Sequence, residues 1–249
     1  MPKRFVVPAS DFSEFPRLSG DVELSEALTA AAQRLHGTDS PQDTLSAAVR
    51  ITVRLLPGAE QAAISVIERD GPRRTVAWTD ESVGVAEASG GQASGGHASG
   101  AERAPYWDAL WHTPVVRLAD SEAEDGGDGS LAAAGLRSAL ALRLRAEKKR
   151  LTVLTAYAGE PRAFDDRAVR VGRLFTAHVS LALESTTKRE QLNEAMRTRD
   201  MIGQATGVLM ERLDIDAAEA FDSLVRASQR ENVKLRDLAR RIVDRTHPA

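Results

Sequence analysis

A long stretch without proline limits the possible folds of this chain more than any other feature. Residues 167–211 contain no proline, and a continuous helix over them would extend for roughly 67 Å at ~1.5 Å per residue. A single small domain cannot bury a helix of that length. Every seventh residue is apolar except one, in the series Leu174, Leu181, Lys188, Ala195, Ile202 and Leu209. This series predicts a dimer stalk, and the pattern leaves open a break at Thr186-Thr187 into two ordinary helices.

The chain before this stretch begins with helical patterns. Residues 1–20 contain three prolines and no sustained period, which predicts a flexible tail. A first amphipathic helix is predicted to begin near Asp21 and to continue to Leu35. A second is predicted to begin at Ser40-Pro41, with the serine as its cap, and to stop at Pro57-Gly58.

Five short segments then carry strand-like patterns. Gln61–Glu68 and Arg73–Thr79 flank an Asp-Gly turn and predict a hairpin. Pro114–Leu118 is a brief strand candidate. Ser138–Arg145 and Leu151–Ala158 alternate between the two faces and flank a charged turn. They predict a second hairpin in a half-buried antiparallel sheet.

Two segments between these strands are predicted to be loops. Gly84–Gly100 contains six of the 18 glycines and no large side chain, which predicts a mobile loop. Ser121–Ser130 is similarly rich in glycine and acidic residues, and a loop is predicted there too.

The last third of the chain predicts a compact three-helix unit. Its first helix is expected to turn Ile202, Ala205, Leu209 and Leu213 inward. A second helix begins at an Asp216-Ala-Ala-Glu219 capping signal, and its apolar face consists of Phe221, Leu224, Val225 and Ser228. The final helix lies between Lys234 and Thr246, and its apolar stripe is Leu235, Leu238, Ala239, Ile242 and Val243.

Composition and motif searches exclude several classes of protein. The chain has no cysteine, which excludes disulfides, thiolate nucleophiles, zinc-thiolate or iron–sulfur clusters and thioether-linked chromophores. Its five histidines are scattered, and no glycine-rich phosphate loop ends in Lys-Ser/Thr. We therefore expect no metal, no cofactor and no enzymatic activity. The absence of a long apolar run and of a signal segment predicts a cytoplasmic protein without a membrane partner.

The order of elements in the first part resembles a GAF domain, with two helices, a hairpin, loops, a second hairpin and a long closing helix. The segment Ala163–Leu183 (AFDDRAVRVGRLFTAHVSLAL) resembles the closing helix of GAF domains in actinobacterial regulators. The resemblance covers about residues 22–185 and implies an antiparallel sheet with helices on one side. It implies a sensing or dimerisation role.

The GAF resemblance does not identify a ligand. The cyclic-nucleotide motif is absent, and AERAPYW stands before Asp108–Leu110 where similar proteins often have a Gly-Glu-Gly-Pro-Cys-like turn. No cofactor-binding residues are carried over, and an unidentified small-molecule ligand stays open. Trp78, Trp107 and Trp111 are either pocket residues or plain core.

Two C-terminal segments resemble the ANTAR domain. They are RDMIGQATGVLMERL (Arg199–Leu213) and AFDSLVRASQRENVKLRDLARRIV (Ala220–Val243). The resemblance implies a dimeric protein that binds a pair of adjacent RNA stem-loops in nascent transcripts and prevents formation of a terminator hairpin. Where many members of the family carry lysine, this chain has Thr206, which removes one phosphate contact.

One face of the first ANTAR helix is unusual for its glycines. Gly203, Gly207 and Met210 lie at i, i+4 and i+7, with Thr206 beside them. An interior glycine costs a helix about 1 kcal/mol relative to alanine, so the pair requires a reason. Close approach of a partner helix or of an RNA loop is one reason, and tight packing inside the three-helix unit is the other.

Basic residues are concentrated in the last two helices. Arg226–Arg245 holds seven basic and three acidic residues, a net charge of +4 in a chain of net charge −3. We expect these cations to contact phosphates, and we expect no base stacking because Phe221 is predicted to be core. The candidate RNA-binding residues are Gly203, Thr206, Gly207, Met210, Ser228, Asn232, Lys234, Arg236, Arg240 and Arg241.

The sequence therefore predicts an α+β protein: a tail (1–20), a GAF-like sensing or dimerisation domain (21–185), and a helical connector with an all-α ANTAR domain (186–249). The predicted function is that of a homodimeric antitermination regulator that binds paired RNA stem-loops. A DNA-binding regulator and a protein–protein signalling module are the alternatives.

Overall fold

A computed structural model describes residues 21–69, 73–90, 106–123 and 129–246. Its contacts divide the chain into two compact units, one up to Thr187 and one from Lys188 onward. The predicted tail, the Asp70-Gly71 turn and His97 lie outside the described residues. No helix in the described ranges is both long and apolar enough to cross a bilayer.

Two helices open the first unit, as predicted. α1 spans Asp21–His36 and α2 spans Pro41–Leu55. The side chain of Ser40 caps α2 by accepting a hydrogen bond from the backbone N–H of Asp43 at 3.1 Å. Gly58, at φ 81°, adopts the left-handed conformation just past the end of this helix.

Five strands form one antiparallel sheet in the order β2-β1-β5-β4-β3. Their bounds are Gln61–Glu68 (β1), Arg73–Trp78 (β2), Val115–Leu118 (β3), Ser138–Ala146 (β4) and Arg150–Ala158 (β5). Both predicted hairpins and the short third strand are confirmed. A hydrogen bond from the guanidinium of Arg137 to the carboxylate of Asp120 connects the loop after β3 to the start of β4. The same hydrogen bond lowers the pKa of the Asp120 carboxyl below its usual value.

The sheet is buried on both faces, so the expectation of helices on one side and of a half-buried sheet is wrong. One face packs on α1, α2 and the long helix described below through residues such as Leu140, Leu142 and Leu154. The other face contacts side chains from shorter elements, among them Val83, Leu110 and Leu131. Strands buried on both faces do not alternate cleanly.

A helix stands where part of the glycine-rich loop is predicted. α3 spans Glu81–Gly90, so the prediction for Gly84–Gly100 is wrong up to residue 90, and the remainder lies outside the described residues. Val83, Ala86 and Glu87 are buried at i, i+3 and i+4, and these tertiary contacts override a weak helical sequence. Gly84 lies beside the indole of Trp78, at a distance that would give an added Cβ ordinary van der Waals contact with the ring, 3.5 Å away.

Two further short helices cover this face. A 3₁₀ helix spans Tyr106–Trp111, and α4 spans Gly129–Ala133. The helical start at Gly129-Ser130 falls in the predicted loop Ser121–Ser130, and the buried side chain of Leu131 explains it. Residues 124–128 lie outside the described part.

The proline-free stretch forms one helix, α5, at Asp166–Leu213. The alternative with a break at Thr186-Thr187 is wrong. The hydroxyl of Thr186 is buried, donates to the carbonyl of Ala182 at 3.0 Å and lies 3.1 Å from the hydroxyl of Thr44. Inside the first unit α5 lies close to β4 at Gly172. A Cβ added at this glycine would lie only 2.6 Å from Leu142 Cδ1.

The second unit contains the last part of α5, α6 (Ala217–Glu231) and α7 (Leu235–Thr246). Asp216 caps α6 as predicted, accepting from the N–H of Glu219 at 2.9 Å. A cluster of four buried apolar residues, Ala205, Leu224, Leu238 and Ala239, lies at the centre of this unit, and partly buried neighbours surround it: Met201, Ile202, Leu209, Ala227, Val233, Leu235, Ile242 and Val243. The predicted stripe of the final helix is confirmed.

Two predicted core residues are instead exposed. Leu213 is 55% exposed, because it is the last residue of α5. Phe221 is 42% exposed. The core face of α6 is centred on Ala220 and Leu224, four residues apart, and successive helical residues lie 100° apart, which places Phe221 at the edge of that face.

The seven-residue series is divided between different environments. Leu174 and Leu181 are exposed in the first unit, whereas Ile202 and Leu209 belong to the core of the second. The last two members of the series therefore serve the three-helix core and leave no uniform seam.

Candidate nucleic-acid interface

Two glycines in the last part of α5, Gly203 and Gly207, face open space. A Cβ built on Gly203 or on Gly207 would meet no atom within 4 Å apart from the helix's own nearby backbone. Their proposed role in tight packing inside the three-helix unit is therefore wrong. Met210, on the same face, is 37% exposed. The face presents bare helical backbone beside one flexible apolar side chain.

The same face continues toward the start of the second unit. Leu192 and Met196 lie 11 and 7 residues before Gly203, which places both within about 20° of it around the helix. They are 66% and 64% exposed. We call Leu192, Met196, Gly203, Gly207 and Met210 the open stripe. Leu192 and Met196 are not among the residues predicted from the sequence, because the seven-residue series considered there passes through Ala195 and Ile202, on a different face of the helix.

Thr206 contributes little polar chemistry to this surface. Its hydroxyl donates to the carbonyl oxygen of Ile202 at 2.8 Å, and the side chain is half-buried. The proton that could reach a phosphate is therefore used inside the helix.

Three of the candidate residues shape the turn between α6 and α7. The hydroxyl of Ser228 donates to the carbonyl of Val233 at 2.7 Å. Asn232 adopts the left-handed conformation at φ 53° and caps α6. The carbonyl of Lys234 accepts hydrogen bonds from the N–H groups of Asp237 and Leu238 at 2.9 and 3.1 Å. The hydroxyl proton of Ser228 is thus engaged in a hydrogen bond within the turn. Asn232 and Lys234 are exposed.

Three arginines of α7, Arg236, Arg240 and Arg241, are exposed. Arg236 lies 3.6 Å from a carboxylate oxygen of Glu194, and Arg241 donates to Glu231 at 3.0 Å. Solvent-exposed ion pairs contribute about 0–1 kcal/mol, so a phosphate can compete for these cations.

Positive charge in the second unit is local. Residues 188–249 hold twelve basic and eleven acidic residues, a net charge of +1. The excess of cations is confined to the last turns of α6 and to α7, as the sequence indicates.

A groove lies between α5, α6 and α7. Its volume is about 520 Å³, and it is lined by Gln191, Glu194, Ala195, Thr198, Arg199, Ile202, Phe221 and Arg236. Of these eight residues only Arg236 was a candidate from the sequence. The groove was missed because Phe221 is adjacent in sequence to core residues and was assigned to the core with them.

A buried polar cluster lies in the first unit. The carboxylate of Glu87, on α3, accepts hydrogen bonds from Arg73, Tyr157, Ser65 and Thr75. The side chains of Arg73 and Glu87 are 3% and 0% exposed. A buried charge needs such partners, and the cluster attaches α3 to β1, β2 and β5.

Two tryptophans of this unit, Trp78 and Trp111, are partly buried beside its core. Trp78 packs against the cluster around Val83 and Tyr157. Trp111 is partly buried, and the guanidinium of Arg69 lies 4.9 Å from the centroid of its ring. The side chain of Trp107 is outside the described part. Within the described ranges, no three His, Asp or Glu side chains are grouped as a metal ion would require.

Comparison with solved structures supports the fold. A bacteriophytochrome from R. palustris, RpBphP3, is 13% identical, with a TM-score of 0.54 over 78% of this chain and 44% of that one. The photosensory core module of a Stigmatella aurantiaca phytochrome is 12% identical, with a TM-score of 0.54 over 83% of this chain and 45% of that one. The chain thus spans less than half the length of these two structures.

Comparison with family models assigns both parts of the chain, although no curated protein sequence matches it. The model described as GAF domain matches residues 38–184, and the model described as ANTAR domain matches residues 190–243. Both are regulatory domains. Because the first match covers more than half of the chain, the protein belongs to the GAF domain family, and it carries an ANTAR domain after its GAF domain.

Proposed function

We propose that the protein is a cytoplasmic transcription antitermination regulator whose ANTAR domain binds paired stem-loops in nascent RNA. The observation that carries the proposal is the pair of open glycines. Gly203 and Gly207 face solvent in the middle of a helix, at positions where an alanine would fit without any contact and would stabilise the helix. Glycine at both positions is explained if another molecule approaches the helix backbone there.

RNA suits this surface chemically. A hairpin loop can lay its backbone against the glycines and an unstacked base against Met210, because the thioether side chain adapts to flat partners. Lys234, Arg236, Arg240 and Arg241 would contact phosphates. Asn232 would hydrogen-bond to a base, while Thr206 and Ser228 would contribute through their hydroxyl oxygens, since their protons are engaged.

Binding would control transcription through an equilibrium between two RNA folds. The protein stabilises the antiterminator hairpins relative to an overlapping terminator by the difference in its affinity for the two folds. A homodimer would hold two adjacent hairpins at once, so the second contact becomes intramolecular and the overall affinity rises.

The GAF domain would regulate this binding by sensing a small molecule or by supporting the dimer. Its sheet face beneath α3 carries the Glu87 cluster, whose guanidinium and carboxylate are already paired. Screening of small molecules against the purified protein would identify a ligand of this domain.

Titration against matched nucleic acids tests the proposal. Full-length protein is titrated with a two-hairpin RNA, with each single hairpin and with duplex DNA, at several salt concentrations. We expect the tightest binding to the two-hairpin RNA. In the double variant Arg236→Ala/Arg240→Ala, the slope of log affinity against log salt concentration should be shallower by the equivalent of about two phosphate contacts.

Other outcomes would support the alternatives. Tight binding to palindromic duplex DNA with half-sites about one helical turn apart would identify a DNA-binding regulator. Equal weak binding to all three nucleic acids, unchanged in the double variant, would favour a protein–protein signalling module.

A further inference from the structure

The groove of the ANTAR domain contains an aromatic ring that the helical bundle does not use for its own core. Phe221 is 42% exposed, although Ala220 and Leu224 on the same helix are fully buried. Its ring forms one wall of a groove whose other walls are α5 and Arg236 of α7. A large apolar side chain left at a concave site indicates a surface that another molecule covers.

The groove has the mixed lining that a nucleobase requires. Ala195 and Ile202 supply further apolar surface, while Gln191 and Thr198 supply hydrogen-bonding side chains. Two guanidinium groups, those of Arg199 and Arg236, and one carboxylate, that of Glu194, line the groove. Asp237, outside the lining, lies 3.7 Å from Arg236, and the ion pairs that Arg236 makes with it and with Glu194 are exposed. The lining therefore combines an aromatic face, polar groups for a base edge and two guanidinium groups that can exchange an exposed carboxylate for a phosphate.

The groove is adjacent to the open stripe on the surface of α5. Ile202, in the groove, lies about 100° around the helix from Gly203, and Arg199 and Thr206 lie between them at about 40° and 60°. One continuous surface therefore runs from the bare backbone of the glycines to the ring of Phe221. A hairpin loop that contacts the glycines can place a splayed base in the groove.

We propose that this groove binds one unstacked base of the RNA hairpin loop, with the base stacked on Phe221 and the flanking phosphates held by Arg199 and Arg236. The proposal rests on the RNA-binding function proposed above and deepens it. It also reverses the expectation that this domain has no aromatic residue for stacking. The pair between Arg236 and Glu194, 3.6 Å apart, would give way to the phosphate.

A helical or extended protein partner fits the groove less well. A hydrophobic partner would desolvate the ion pair between Arg236 and Glu194 and would bring no opposite charge to Arg199, which is costly. RNA brings the opposite charge to the two arginines, and its bases stack on aromatic rings and on guanidinium planes alike.

Fluorescence of a base analogue tests the proposal. A two-hairpin RNA that crosslinks to the full-length protein is synthesised with 2-aminopurine at each loop position in turn. We expect one position to be quenched when wild-type protein binds. Phe221→Leu should abolish that quenching and weaken binding by roughly five- to hundredfold, whereas Phe221→Tyr should retain both.

The salt dependence and a control variant separate stacking from general damage. Phe221→Leu should leave the slope of affinity against salt unchanged, because no phosphate contact is lost, whereas Arg199→Ala should reduce it by about one contact. Leu213→Ala removes an exposed apolar side chain from the end of α5, outside the groove. It should change neither quenching nor affinity.

The outcomes distinguish this proposal from the function on which it rests. If wild-type protein binds the RNA and Phe221→Leu preserves both affinity and quenching, the groove proposal is overturned while RNA binding stands. If Phe221→Leu instead dissociates a dimer and no loop position is quenched in the wild type, the groove is an interface between copies. If no hairpin RNA binds, both proposals fail.

Discussion

At the scale of single residues, Gly203 and Gly207 differ from the other glycine of α5, because no atom lies near the position of their missing side chains. Buried glycines in helices usually let two elements pack closely, as Gly172 does against Leu142. A Cβ added at Gly203 or Gly207 would contact no atom within 4 Å, so these glycines lower the stability of their helix without allowing closer packing inside the protein. A cost of this kind at an exposed position points to a binding surface.

A bulky residue at Gly207 should separate folding from binding. We expect Gly207→Leu to leave the thermal midpoint unchanged or raised, because leucine favours helix by roughly 0.5–1 kcal/mol over glycine and its side chain has open space. It should weaken RNA binding at least tenfold, since the RNA backbone can no longer reach the helix. Calorimetry and RNA titration measure the two effects.

Gln204 supplies the matched control for this change. It is exposed on the same helix, about 100° from Gly203 and about 60° from Gly207, so Gln204→Leu adds the same side chain beside the open stripe and not on it. We expect unaltered RNA affinity. Equal affinity of Gly207→Leu and wild-type protein would show that RNA does not approach the glycines.

The limits of sequence reasoning are also clear at individual residues. Ser40 and Asp216 were identified as helix caps because capping depends on local spacing, and the structure confirms both. Phe221 and Leu213 were assigned to the core wrongly, because an apolar residue next to a core stripe cannot be placed without knowing how the helix is rotated. The groove could not be predicted for the same reason.

At the scale of elements, tertiary contacts decide what local sequence leaves undecided. The hairpins and the long helix follow from alternation and from the lack of proline, and the structure confirms them. α3 does not follow from its sequence, which is rich in glycine, alanine and serine. It is helical because Val83 and Ala86 pack on the sheet and because Glu87 enters the buried polar cluster.

Glu87 should therefore be critical for the stability of the GAF domain. Glu87→Ala leaves the buried guanidinium of Arg73 without its carboxylate, and breaking a buried pair costs about 3–5 kcal/mol. All three tryptophans lie before residue 188. Urea unfolding followed by tryptophan fluorescence therefore reports on the GAF domain separately from the ANTAR domain.

The double variant Arg73→Met/Glu87→Leu tests the physical cause. It removes both charges and restores apolar volume, so we expect its free energy of unfolding to exceed that of Glu87→Ala. A double variant less stable than the single variant would mean that the hydrogen bonds to Ser65, Thr75 and Tyr157, and not the charge pair, are what α3 requires.

At the scale of the whole molecule, the proposed function depends on two copies of the chain acting together. Two adjacent hairpins can be held at once only if two ANTAR domains are linked, and avidity from such linkage can exceed the single-site affinity by about 10²–10⁴. The first part of the open stripe offers a place for that link. Leu192 and Met196 are the most exposed large apolar side chains among the described residues.

Charges on this part of the stripe should dissociate the proposed dimer. We expect Leu192→Glu/Met196→Glu to sediment as a monomer at concentrations where the wild type is dimeric, because two carboxylates would face two others across the contact. The variant should bind a single hairpin as the wild type does, yet lose the additional affinity for the two-hairpin RNA. Sedimentation equilibrium and RNA titration provide the two measurements.

A charge-matched control isolates position from net charge. Asn193→Glu/Gln204→Glu adds the same two negative charges at exposed positions about 80° and 100° away from Gly203 around α5. It should remain dimeric and keep its preference for paired hairpins. A Leu192→Glu/Met196→Glu protein that stays dimeric, or a wild type that is monomeric even when bound to two hairpins, would place the linkage elsewhere and remove the stripe from the proposed mechanism.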